Sequence, residues 1–186
     1  MSCNFCAAHS SLIIESMSNI SFTNDILPLK DKLFRLALRV SQNREEAEDI
    51  VQDILIKLWS QRDQWHKIQN IETYSMTMCR NLALDRMGKK EYQNIPFDPT
   101  MHDRPDTTWQ PDEALAQRQQ LDTIDTIIAS LPEKQRTVIQ LRDIEGKSYQ
   151  EIADVMQIGI SDVKVNLFRA RGKLKDKLSE MVNDNR

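Results

Sequence analysis

With 186 residues, 40% of them hydrophobic, the chain has material for one domain or for two small ones, each with a modest core. Four glycines argue against a turn-rich β protein, and a formal net charge of −3 argues against a protein that coats nucleic acid through bulk positive charge. No apolar run approaches the roughly 20 residues of a membrane span, the first basic residue is Lys30, and three cysteines give no even disulfide framework, so a cytoplasmic protein without membrane insertion is expected.

Residues 1–26 are rich in Ser and Asn and show no helical period, which predicts a disordered extension. Cys3, Cys6 and His9 have the spacing of half a zinc site, but the second half is missing and Cys79 lies in a helical pattern, so no metal site is expected. A simpler reading takes Met17 as the natural start and residues 1–16 as an upstream extension of the reading frame.

Pro28 sits where a helix can begin, and Leu33, Leu36, Ala37 and Val40 follow at i, i+3, i+4 and i+7. Asn43, with Glu46 three residues on, has the spacing of a capping box that opens a second helix. Ala47, Ile50, Val51, Ile54 and Leu58 form its core stripe, while Asp49, Gln52, Asp53 and Ile56 share the opposite face. Two faces want two partners, although an acidic stripe taken alone reads as solvated surface. After Trp59 comes a short polar stretch with Trp65 and His66, the latter a surface loop residue. Asn70 then caps a helix from Ile71 to about Met87, with Ile71, Tyr74, Met78 and Leu82 inward. Cys79 reads as a packed small hydrophobe. Arg80 and Asn81 point elsewhere, Asp85 falls near the inward stripe, and Arg86, Lys89 and Lys90 follow.

Residues 93–112 hold four of the six prolines and an excess of Asp, which predicts an extended linker between helical domains at 27–92 and 113–183. In the second domain Leu121, Ile124, Ile128 and Leu131 line one helix. Pro132 starts another, containing Val138 and Leu141 and ending at Gly146.

The stretch from Ser148 to Lys177 reads as a helix-turn-helix. Ser148 and Glu151 form a capping box, and Ile152, Val155 and Met156 share a face beside small Ala153. Gln157, Ile158 and Gly159 make the turn, with Gly159 suited to a cap or a positive φ. Val163, Leu167, Ala170 and Leu174 form the buried stripe of the next helix. Between Val163 and Lys177, Lys164, Arg169, Arg171, Lys173, Lys175 and Lys177 stand against Asp176 alone, a net of +5. Charge by itself fits a solvated terminal helix as well as a phosphate-binding one; the capped helix and tight turn favour DNA.

Four motifs in order resemble the extracytoplasmic-function (ECF) group of sigma factors: E-x-A-E-D-I-V-Q-D at 45–53, R-N-L-A-L-D-R at 80–86, L-P-E-K-Q-R at 131–136, and Y-x-E-I-A at 149–153 followed by V-K-x-x-L-x-R-A-R at 163–171. The resemblance implies an all-α protein, with a sigma region 2 bundle and a sigma region 4 helix-turn-helix on a flexible linker. It implies that Asp49, Gln52, Asp53 and Ile56 bind core RNA polymerase, docking on the clamp coiled coil of β′, with the β subunit also a partner. Asn81 would contact a flipped base of the minus-10 element, and Arg80, Arg86 and Lys89 the phosphates. Minus-35 promoter DNA would meet Lys164, Val165, Asn166, Phe168, Arg169 and Arg171, with Ser148 and Tyr149 gripping backbone. The family usually has an anti-sigma factor, which would wedge between the domains. The chain departs from the family pattern at Gly159, at Ser161-Asp162 and at Asn166. No Walker loop, catalytic triad or complete metal site occurs, so neither catalysis nor a cofactor is expected. A helix-turn-helix regulator that is not a polymerase subunit is the alternative, and a helical protein that sequesters a partner is a third reading.

Overall fold

The computed structural model describes residues 20–92 and 123–184, and every regular element among them is helical. The expected linker at 93–112, Leu121, and the Cys3, Cys6 and His9 cluster lie outside the described residues.

Residues 20–26 depart from the disorder expected over 1–26. Ser21 and Asp25 cap each other's ends, with the Ser21 amide donating to Asp25 Oδ2 at 2.6 Å and the Asn24 amide donating to Ser21 Oγ at 3.4 Å. The turn Phe22–Ile26 buries Ile26 completely and sets Phe22 edge-on to Trp59, ring centroids 5.1 Å apart. Five residues are too few to show a helical period, so only tertiary contact reveals this turn.

Helix α1, Lys30–Ser41, follows a short turn begun by Pro28 and buries Leu33, Leu36, Ala37 and Val40. It stops where Gln42 turns left-handed, at φ 54°. Asn43 then caps α2, Arg44–Ser60, its Oδ1 accepting from the Glu46 amide at 2.9 Å. The α2 core stripe, Ala47, Ile50, Val51, Ile54 and Leu58, is buried against α1 and α3. A single helical turn, Arg62–Lys67, buries Trp65, whose indole N–H donates to Leu58 O at 3.0 Å and holds the connection down; His66 is exposed.

Helix α3, Ile71–Tyr92, starts on Asn70, whose Oδ1 accepts from the Thr73 amide at 2.9 Å, and runs beyond the expected end near Met87, carrying Gly88 within it. Its buried face also differs from expectation. Ser75, Met76, Cys79, Arg80 and Ala83 are the buried residues, while Ile71, Tyr74, Met78 and Leu82 are half-buried. The reason is that α3 packs on three helices, α1, α2 and a later one at Tyr149–Met156, so no single stripe describes it.

The second bundle comprises α4 (123–129), α5 (Glu133–Ile139), α6 (Tyr149–Met156) and α7 (Ile160–Asp184). Ile127, Ile128, Leu131, Val138 and Leu141 fill its centre. After α5 the chain widens into a π-helical turn, Gln140–Ile144, and Gly146 at φ 69° releases it toward α6. The Ser148–Glu151 capping box is complete, with Ser148 Oγ accepting from the Glu151 amide at 3.2 Å and Glu151 Oε2 accepting from the Ser148 amide at 2.8 Å. In the turn the positive φ falls on Gln157, at 55°, and Gly159 serves as the cap before α7. Val163, Leu167 and Ala170 are buried, so α7 packs on both α5 and α6.

Removing the cap by Ser148→Ala should lower unfolding free energy by about 1 kcal/mol, measured by urea denaturation. The hydrogen bonds from Ser148, its backbone first, outweigh slight burial and hold the Glu151 carboxyl below its ordinary value. Its stabilising contribution is therefore full above the ordinary carboxylate range and is lost as pH falls below it, so the stability gap between the parent and Glu151→Gln should close on acidification. Burial pushes the Cys79 thiol up to about 12. With Cys3 and Cys6 replaced by Ser, thiol reagents should label the chain only as fast as it unfolds.

Candidate polymerase and nucleic-acid interface

Three surfaces carry the residues singled out from sequence. The first is the outward face of α2, where Asp49, Gln52, Asp53 and Ile56 are all exposed, Ile56 to 68%. Trp59, one helical step beyond Ile56 and 51% exposed, extends this face, with the Arg62 guanidinium 5.4 Å from its ring. The sequence reading missed Trp59, although its i+3 spacing from Ile56 was the available signal. Asp53 is not a free carboxylate. Together with Glu46, whose Oε2 lies 3.3 Å from Nη1, it holds Arg86 of α3, so Arg86 fastens α2 to α3.

The second surface is α3. Asn81 is half-buried and Lys89 exposed. Asp85, placed near the inward stripe by its spacing, is exposed as well. Arg80, expected to point away from the core toward phosphates, is only 6% exposed and faces the second bundle. Its Nε donates to Glu133 Oε1 at 3.1 Å, and its Nη2 donates to both Glu133 oxygens at 2.9 and 3.1 Å. No local pattern reveals this partner, because the pair joins positions 53 residues apart.

The third surface is formed by α6 and α7. Lys164, Val165, Phe168 and Arg169 are exposed, and Phe168 shows 81% of its surface. Phe168 thus adds little to packing and stands beside exposed Val165, so apolar and basic groups share this face. Tyr149 lies between Arg142, 4.7 Å from its ring centre, and Lys164, 5.7 Å from it, so that two cations are held at the entrance of α6 beside exposed Ser148. Arg171 forks onto Asp143, one bond being Nε to Oδ2 at 3.1 Å, and this hydrogen bonding raises its pKa further. Asn166 turns its amide back to Asp162 O at 2.8 Å, so its side chain is engaged within α7. With Leu167 and Lys175, the Tyr149, Lys164, Phe168 and Arg171 side chains line a shallow groove.

Among the described residues no cluster of His, Cys, Asp and Glu could hold a metal ion, and no helix is long and apolar enough to cross a membrane.

Comparison with known proteins gives these surfaces their context. Residues 26–91 match the family model for Sigma-70 region 2, and residues 121–174 match that for Sigma-70, region 4. The chain belongs to the ECF sigma factors. It is 28% identical over 169 residues to the ECF RNA polymerase sigma factor SigW of Bacillus subtilis, covering 82% of this chain and 86% of that protein. To the RNA polymerase sigma-H factor of Pseudomonas aeruginosa it is 26% identical over 170 residues, 86% of this chain and 88% of that one. The sigma factor RpoE of Bartonella quintana, solved in complex with the anti-sigma factor NepR, superposes with a TM-score of 0.70 at 26% identity, over 85% of this chain and 96% of that one. CnrH, solved with the cytosolic domain of CnrY, shares the fold, with a TM-score of 0.61 at 21% identity over 86% of this chain and 88% of that one. As an ECF sigma factor, this chain binds core RNA polymerase and promoter DNA and directs promoter-specific initiation.

Arg86 supplies a test of the α2–α3 junction. Arg86→Met should cost about 1 kcal/mol in urea unfolding, at the upper end for a partly exposed pair because two carboxylates then face each other. Arg86→Lys should recover only part of that, since an ammonium lacks the planar fork.

Proposed function

We propose a division of labour for this sigma factor in which the α2 outward face docks on the β′ clamp coiled coil, α3 takes the opened minus-10 strand, and α7 reads minus-35 duplex. The observation that carries it is the second face of α2. Asp49, Gln52 and Asp53 offer charge and amide groups, while Ile56 and Trp59 offer apolar area, all exposed on one side of a helix whose other side is committed to the core. Such a surface suits a basic coiled coil, with charge setting encounter rate and register and the apolar pair holding the contact.

On α3, Asn81 can both donate to and accept from the edge of an extruded base, and stacking plus hydrogen bonding there offsets the lost base pair. Lys89 is placed to follow phosphates, and Arg80 joins it once released from Glu133. On α7, Val165 and Phe168 fit thymine methyl groups, Lys164 and Arg169 fit guanine or phosphate, and Asn166 fits adenine once its amide leaves Asp162 O. Ser148, Tyr149 and Arg171 grip the backbone. The protein acts in the cytoplasm as an initiation factor without catalysis of its own, and an inhibitor of the kind bound by the Bartonella sigma factor is its expected regulator.

Co-purification with core polymerase tests this assignment. Asp49→Lys combined with Gln52→Lys should weaken core binding more than tenfold, about 1.4 kcal/mol or more, with circular dichroism unchanged; Phe168→Ala should leave core binding intact and weaken minus-35 binding by the holoenzyme. Undiminished core binding by the α2 variant would remove the basis for the docking assignment.

A further inference from the structure

The two bundles of this chain are joined by ion pairs that a permanently open sigma factor has no use for. Arg80 of α3 and Glu133 of α5 make the three hydrogen bonds described above, with the Arg80 side chain 8% exposed. At the next contact, Lys147 Nζ sits 2.7 Å from Glu72 Oε2 at the start of α3, its own side chain also 8% exposed. From α1, Arg35 reaches Glu145 at 2.8 and 3.1 Å. α3 packs on α6, and α1 on α5.

This closed arrangement is incompatible with promoter engagement on simple distances. By their names the minus-10 and minus-35 elements lie about 25 base pairs apart, on the order of 85 Å of duplex. α3, α6 and α7 packed in succession span only about 30–35 Å, so one compact body cannot reach both. Opening must break the Arg80–Glu133 pair, and it frees a cation on the helix that meets DNA.

We infer that the free chain is held shut by this ionic clasp, in which Glu133 occupies the place on Arg80 that a nucleic-acid phosphate takes after opening. The clasp itself is ionic, and its exchange of carboxylate for phosphate keeps the Arg80 guanidinium paired in both states. The inference rests on the assignment of Arg80 to the DNA strand, but closure itself is read without DNA.

Small-angle scattering on the free full-length chain, with circular dichroism as the folding control, tests closure using Glu133→Gln and, separately, Glu72→Gln. Each should raise the radius of gyration by several ångströms. Glu133→Gln should also raise affinity for a single-stranded oligonucleotide about tenfold, as expected when fewer than a tenth of parent molecules are open. Adding Arg80→Gln to it should abolish that gain. Folded variants with the parent's radius of gyration would overturn the clasp, whatever the promoter activity; a gain in affinity that survives Arg80→Gln would overturn the exchange at Arg80.

Discussion

An α-helix that commits one stripe to a core leaves the opposite side to chemistry, and this constraint organises the whole molecule. α2 buries Ala47, Ile50, Val51, Ile54 and Leu58, and so must present Asp49, Gln52, Asp53 and Ile56 outward. α7 repeats the arrangement, with Val163, Leu167 and Ala170 buried where it packs on α5 and α6, and Lys164, Val165, Phe168 and Arg169 in solvent. Neither functional face can change register without pulling its core stripe out of place. The rigidity of the binding surfaces is thus inherited from burial of the stripes behind them.

Charge is partitioned as strictly as apolar surface. The chain is net acidic at −3, yet the segment from Val163 to Lys177 carries +5, so basic groups are concentrated on α7 while Asp49 and Asp53 mark the outward face of α2. A sigma factor distributed in this way has little general affinity for DNA, and it depends on the polymerase for the rest of its binding energy. Several charges serve twice. Asp53 faces outward on α2 but also holds Arg86, and exposed Arg171 of α7 is braced by Asp143. Such bracing fixes long side chains before a partner arrives, which lowers the entropy lost on binding.

Much of this was legible in the sequence because it is local. The stripes of α1, α2 and α7, the caps at Asn43, Asn70 and Ser148, and the stop at Gly146 are all set by residues within a turn or two of each other. The burial of α3 was not legible, since three neighbours contact it and no one periodicity survives. Arg80 was misplaced for the same reason: its partner Glu133 is 53 positions away in the chain, and nothing in either local pattern links the two. Trp59 was legible and missed, its spacing from Ile56 being sufficient. The turn at Phe22–Ile26 shows the opposite limit, an element too short for a pattern and ordered by what it packs against.

The account turns on the claim that this one chain converts bare polymerase into a promoter-specific enzyme. Run-off transcription with core polymerase and the purified chain, on a library of genomic fragments, measures that directly. The account predicts transcripts from discrete start sites that appear only when the chain is added, each preceded by a common pair of upstream elements. Addition of folded chain that yields no new start site on any fragment would contradict it.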